Sequence, residues 1–208
     1  MTLDVLLNSF VVLFVVVDPI GNAPIFAALT RGLGGAERRV LAVKAIVLSA
    51  AILLVFFLAG NGLLSALGIG VPAFRIAGGV LLFLVAIDMV FARQSGLRGA
   101  TASEQEEAQE REDISVFPLA FPLIAGPGAI TTVLLMASEG GTWTGQLVRL
   151  GIILTVLLLT LASLLLTARI MQVLGETGTN VIDRLLGLVL AAIAVQFVVD
   201  GIGGAFGV

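Results

Sequence analysis

Six apolar runs of roughly 20 residues follow one another along the chain, at about Val5 to Thr30, Val40 to Ala59, Val71 to Phe91, Phe117 to Ala137, Leu147 to Ala168 and Val181 to Ile202. Each is the length of a helix crossing a hydrocarbon core about 30 Å thick. In lipid no water satisfies a backbone N–H or C=O, so a run of this kind crosses as a helix that closes its own hydrogen bonds. Only 12% of the 208 residues are charged and 59% are hydrophobic, with a mean hydropathy of +1.15. A soluble domain carries about 25% charged residues. The sequence therefore specifies an all-α integral membrane protein with six transmembrane segments.

The first run is expected to stay in the mature protein, because "MTLDVLLNSF" carries Asp4 where a cleavable signal peptide has a basic region, and no small-residue cleavage site follows. Orientation follows from the Lys and Arg of short loops, which prefer the cytoplasmic side. Arg31, Arg38 and Arg39 lie between runs one and two, Arg93, Arg98 and Arg111 between three and four, and Arg169 and Arg184 around the gap between five and six. The alternate loops hold only Arg75 and Arg149, while Lys44 snorkels from one turn inside run two. Both termini are thus predicted to lie outside the cytoplasm, in a multi-pass protein of the cell inner membrane.

Absent residue types exclude much chemistry. With no His and no Cys, the chain has no means of building a His or Cys zinc site, a Cys nucleophile, an iron–sulfur cluster or a Ser-His-Asp triad. No resident cofactor or metal is expected. A net charge of -3 without a basic run argues against nucleic acid as a partner. The longest polar stretch, 92–116, carries Glu104, Glu106, Glu107, Glu110, Glu112 and Asp113. It reads as a solvated acidic cytoplasmic linker or, alternatively, as a docking site.

This linker divides the chain into a first three-segment repeat, 1–91, and a second, 117–208. Displacing the sequence by about 108 residues lays Pro19 on Pro127, Arg75 on Arg184 and Gly78 on Gly187, with Asp88 near Gln196 after a one-residue slip. Three segments is an odd number, so the second repeat enters the membrane in the opposite sense. Inverted repeats of this kind characterise secondary transporters, and matching Gly/Pro interruptions mark their binding sites. Segments one and four are accordingly expected to be broken at mid-membrane.

In "DPIGNAPIF", Pro19 lacks an amide hydrogen, Gly21 tolerates non-helical dihedrals, Asn22 is placed to cap the restarted helix, and Pro24 suits its first turn. In "PLAFPLIAGPGAITT", Gly126, Pro127 and Gly128 break the chain and the helix restarts into Thr131 and Thr132. Amides at the restarted helices suit an anion such as a carboxylate. Asp18 stands at the same depth, where an ionised side chain costs about 2.5 to 3.5 kcal/mol on insertion scales. It is a candidate for the coupling proton or, with unwound carbonyls, for sodium. The competing reading is that it caps the break or pairs with an arginine. Thr131 and Thr132 are candidates to bond a substrate or to bond their own i−4 carbonyls. Asp88 pairs with Arg93 or couples, Gln196 is a deeper polar candidate, and Gly78, Gly79 and Gly187 read as packing contacts.

These two motifs, within a six-segment chain of this length, resemble the MarC family of bacterial and archaeal inner-membrane proteins, and the resemblance covers essentially the whole chain. It implies a membrane transporter of the kind described for some relatives, which move small neutral amino acids such as glycine and alanine on a cation gradient, proton or sodium. The family is also grouped with LysE-type amino acid exporters. By motif the resemblance carries over to Asp18, Pro19, Gly21, Asn22 and Pro24, and to Gly126, Pro127, Gly128, Thr131 and Thr132. Ala23 and Ala129, small and adjacent, complete the substrate-binding set. The expected partners are the amino acid, the bilayer and a second copy of the chain. The alternatives are an exporter of similar solutes and a non-transporting scaffold acting through the linker. An intramembrane enzyme ranks last, since "AIDMV" around Asp88 lacks the glycine that precedes an aspartyl protease aspartate.

Overall fold

The computed structural model describes residues 3–91, 114–138 and 142–207. Nearly all of the acidic linker, 92–113, lies outside the described residues, and Arg93 with it. The described residues form helices, and none forms a strand: α1 (Leu3–Val17), α2 (Asn22–Leu29), α3 (Gly35–Ala66), α4 (Val71–Phe91), α5 (Ser115–Ile124), α6 (Pro127–Ser138), α7 (Trp143–Leu165) and α8 (Thr167–Phe206). Five stretches are long and apolar enough to cross a membrane, namely Val5–Leu29, Gly35–Gly60, Val71–Phe91, Trp143–Leu165 and Thr177–Phe206. The pair α5 and α6, bent by 58° at its break, makes a sixth if it is one span. These agree within a few residues with the six apolar runs.

Local sequence accounts for the ends. The Glu37 carboxylate accepts the Gly34 N–H at 2.8 Å at the start of α3, and the Thr142 hydroxyl accepts the Gly145 N–H at 3.3 Å at the start of α7. Each takes up a donor the first helical turn leaves unused. A loop was expected between the last two spans, but a short helix fills it. Helix resumes at Thr167 directly after Leu166 and is interrupted at Gly175, whose φ of 66° is open to glycine and strained for other residues. The Thr179 hydroxyl then bonds the Gly175 carbonyl at 2.9 Å and steadies the restart.

Packing crosses the middle of the chain. Helices α1 and α2, which make up the first apolar run, lie against α7 of the fifth, and α3 of the second run lies against α5 and α6 of the fourth. Helices α4 and α8 form the third pair. The main buried core is shared accordingly, with Leu13, Phe26, Leu53 and Phe57 from one half meeting Leu119, Val133, Val156 and Leu164 from the other. A smaller core joins Val15 to Leu82, Ala86 and Met89 of α4 and Leu190 and Ala194 of α8.

Glycines let α4 and α8 approach. A Cβ on Gly79 would come within 2.7 Å of the Ala194 carbonyl oxygen, one on Gly187 within 2.7 Å of Met89 Cβ, and one on Gly201 within 2.8 Å of the Pro72 carbonyl oxygen. Lipid supplies no hydrophobic drive between helices, so this close van der Waals contact is what docks the pair. Gly79→Ala is expected to lower stability by about 1 to 3 kcal/mol through overpacking against backbone, measured by thermal unfolding in detergent. Gly151→Ala, where a Cβ meets nothing within 4 Å, should leave the midpoint unchanged.

Candidate functional site

The first interruption is a built turn. Helix α1 ends at Val17, and Asp18 adopts a positive φ of 48°, a left-handed conformation that Asp and Asn tolerate better than most residues. The Asp18 side chain is 1% exposed, and its Oδ1 accepts the Gly21 N–H at 3.0 Å. The Asp18 carbonyl accepts the Asn22 N–H at 3.1 Å, and the Ile20 carbonyl accepts the Ala23 N–H at 3.1 Å. Asn22, 1% exposed, donates from Nδ2 across the gap to the Val17 carbonyl at 2.9 Å. The Pro19 carbonyl accepts the Ser163 hydroxyl of α7 at 2.5 Å.

Two expectations change here. Gly21, not Asn22, occupies the cap position of α2, because the Asn22 amide reaches backward and its residue is already the first of the helix. The leading amides of α2 are also consumed by the turn itself, so they do not form an anion site. Pro24 stands in the first turn, where a missing N–H costs nothing. Ala23 is fully buried.

The second interruption is longer than expected. The sequence placed it at Gly126, Pro127 and Gly128, but non-helical backbone begins already at Phe117, within α5. Phe117 and Phe121 are extended inside it, each forced out of helical dihedrals by the proline that follows, Pro118 and Pro122. The N–H groups of Leu119 and Ala125 reach five residues back, to the Ile114 and Ala120 carbonyls at 3.3 and 2.8 Å. A Cβ on Gly126 would overlap the Pro122 carbonyl oxygen, so only glycine fits that corner. Helix α6 then starts at Pro127, and its ladder begins with the Ile130 N–H on the Gly126 carbonyl at 3.0 Å. Gly128 and Ala129 thus present the amides that a first turn leaves without an intrahelical partner.

The two interruptions meet. A Cβ on Gly128 would come within 2.7 Å of Leu82 Cδ2 and 3.1 Å of Val16 Cγ1, so the head of α6 sits against the turn that precedes Asp18 and against the middle of α4. One turn on, the Thr131 methyl fills the space above Gly78. Thr131 and Thr132 are both buried, and the Thr132 hydroxyl bonds the Gly128 carbonyl of its own helix at 2.9 Å.

Asp88 is 6% exposed near the end of α4. Gln196 does not join the site: it lies on the outer face of α8, its Nε2 bonded to Asp200 Oδ1 at 2.6 Å. Sequence reasoning missed Ser163, whose partner is 144 residues away and carries no local signal. It also counted Arg149 as a loop charge, whereas Arg149 is 5% exposed inside α7. Its position within an apolar run was the available sign.

A model of the MarC family integral membrane proteins matches residues 3–206. The chain belongs to the MarC family. It is 40% identical to the UPF0056 membrane protein YvbG of Bacillus subtilis, over 99% of this chain and 98% of that relative. To the UPF0056 membrane protein MJ1677 of Methanocaldococcus jannaschii it is 37% identical, over 99% of both chains. A UPF0056 membrane protein of Aquifex aeolicus shares 38% over 94% of this chain and 91% of its own. No solved structure matches this MarC family chain.

The first turn yields a stability prediction. Asp18→Asn keeps both the left-handed tolerance and the acceptor for Gly21, and should unfold within a degree or two of the parent. Asp18→Ala and Asn22→Ala each lose a buried bond and should cost about 1 to 2 kcal/mol, read from detergent unfolding midpoints.

Proposed function

We propose that this MarC family protein is a secondary transporter of small neutral amino acids, glycine- or alanine-like, moved by alternating access on a proton or sodium gradient. The observation that carries this reading is the seating of Gly128 against Val16, which brings the head of α6 beside the turn of Asp18. A zwitterion matches that pair of poles. Its carboxylate goes to the Gly128 and Ala129 amides, where the helix dipole favours negative charge. Its ammonium, or the coupling cation, goes to Asp18. Asn22, Gly21, Thr131 and Thr132 flank the two poles, and Ala23, Gly128 and Ala129 leave room for a small side chain and not for a large one.

The exchange of partners between halves supports the reading of two inverted three-segment repeats. Segment one packs on five as four packs on two, and three packs on six. Leu82 stands halfway along α4, which supports breaks at mid-membrane. Rocking of one set against the other around a fixed site is how such folds alternate access. In this reading the protein is not an enzyme, resides in the inner membrane and keeps both termini outside the cytoplasm.

In proteoliposomes, labelled alanine or glycine should accumulate under an imposed proton or sodium gradient. Asp18→Asn should reduce that uptake at least tenfold while leaving the fold intact; equal uptake by the variant removes the coupling role from Asp18. An alkaline phosphatase fused after Val208 should be active in cells, and an inactive fusion with normal expression reverses the orientation.

A further inference from the structure

Each interrupted segment leaves a backbone carbonyl beside a serine from the opposite half of the chain. Ser163 of α7, 8% exposed, donates to the Pro19 carbonyl of the first break at 2.5 Å. Ser49 of α3, fully buried, donates to its own helix at the Ala45 carbonyl, 2.8 Å away, and lies 3.5 Å from the Ala120 carbonyl of the second. The two arrangements are alike at the level of segments: a serine on the second segment of one half faces a carbonyl of the broken segment of the other, although the displacement of about 108 does not lay one serine on the other. They differ in state. A hydroxyl has one proton to give, and in a helix it chooses between the i−4 carbonyl and an outside acceptor. The Ser163 hydroxyl is on the break, and the Ser49 hydroxyl is parked on its own helix.

We propose that Ser163 and Ser49 are a reciprocal pair of latches, one engaged on its broken segment while the other is released, and that exchanging them accompanies the change of access. The proposal rests on the transport reading for its purpose, but the latch itself is a two-state contact that exists with or without flux. In the conformation described, the Ser163 hydroxyl ties α7 to the first break, while the Ser49 hydroxyl favours Ala45 at 2.8 Å and keeps only a long 3.5 Å contact to the Ala120 carbonyl of the second. In the opposite conformation Ser49 moves from Ala45 to the Ala120 carbonyl and Ser163 falls back on its own helix.

The chain has no cysteine, so a single Thr131→Cys reporter can be labelled with a membrane-impermeant maleimide from either face of the membrane. In that background, Ser163→Ala should shift the ratio of labelling between the two faces by about two- to tenfold, the worth of one net hydrogen bond. Ser49→Ala should shift it in the opposite direction, and the double variant should return toward the parent ratio. Ser163→Thr, which keeps the hydroxyl, should retain the parent ratio, which separates the latch from a general loss of packing. Single variants that shift the ratio in the same direction, or that leave it unmoved with unfolding midpoints equal to the parent, overturn the latch. Opposite shifts, with no gradient-driven uptake by the cysteine-free parent, support the latch and sink the transport reading. Normal uptake by the cysteine-free parent with an unmoved ratio does the reverse.

Discussion

The structure depends on a single constraint: in hydrocarbon every backbone N–H and C=O needs a partner within the protein, and each one left over costs several kcal/mol. A continuous helix meets this alone. The two interrupted segments do not, and their surroundings are shaped by what they lack. At the first break the deficit is closed from within by the Asp18 carboxylate and the Asn22 amide, and from outside by the Ser163 hydroxyl. At the second, where Pro118 and Pro122 remove two donors altogether, wide turns reaching five residues back recover part of the ladder. Both segments are consequently held inside the bundle. Their partners come from the far half of the chain, which binds the two halves into one core.

That enclosure sets what the glycines do. Those between α4 and α8 bring two regular helices to backbone contact. Gly128 and Gly78 act differently, since their missing side chains are filled by Val16, Leu82 and Thr131 and so fix how α6 lies against α1 and α4. A Cβ at Gly128 would push the head of α6 away from the Asp18 turn. The charge poles proposed for the substrate therefore depend on a packing contact as much as on the polar groups.

The spans were legible because a helix in lipid is written in consecutive apolar residues: five of the runs correspond to helices long enough to cross, and the fourth to the bent pair of α5 and α6. The positions of Asp18, Pro19 and Gly21 at the end of α1 were legible for the same reason, as polar and Pro/Gly residues have few other uses at that depth. What failed involved direction and distance. Asn22 reads as a cap by residue type, yet its amide points back to Val17. The duplicated Phe-Pro-Leu of α5 passes for ordinary apolar sequence until the residue before each proline is seen extended. Gly175 looked like part of a loop and is a kink between two helices. Gln196 was judged by depth, but its side of α8 decides its role, and that depends on which face α4 covers. Ser163 was out of reach, because its meaning comes from a fold in which the fifth segment lies on the first.

The two breaks are alike in position and unlike in chemistry, and the difference bears on selectivity. The first uses its own amides, so the polar character left there is that of a carboxylate. The second begins with a proline and two small buried residues, so the character left there is that of first-turn helix amides. Two identical breaks would give two like poles and would suit a simple ion. In the proposed reading, one acidic pole and one amide pole, on segments that meet where Gly128 seats against Val16, suit a solute that carries both charges. In the transport reading proposed above, specificity for a short zwitterion would draw on the asymmetry between the two breaks, and alternation of access on the likeness of the halves.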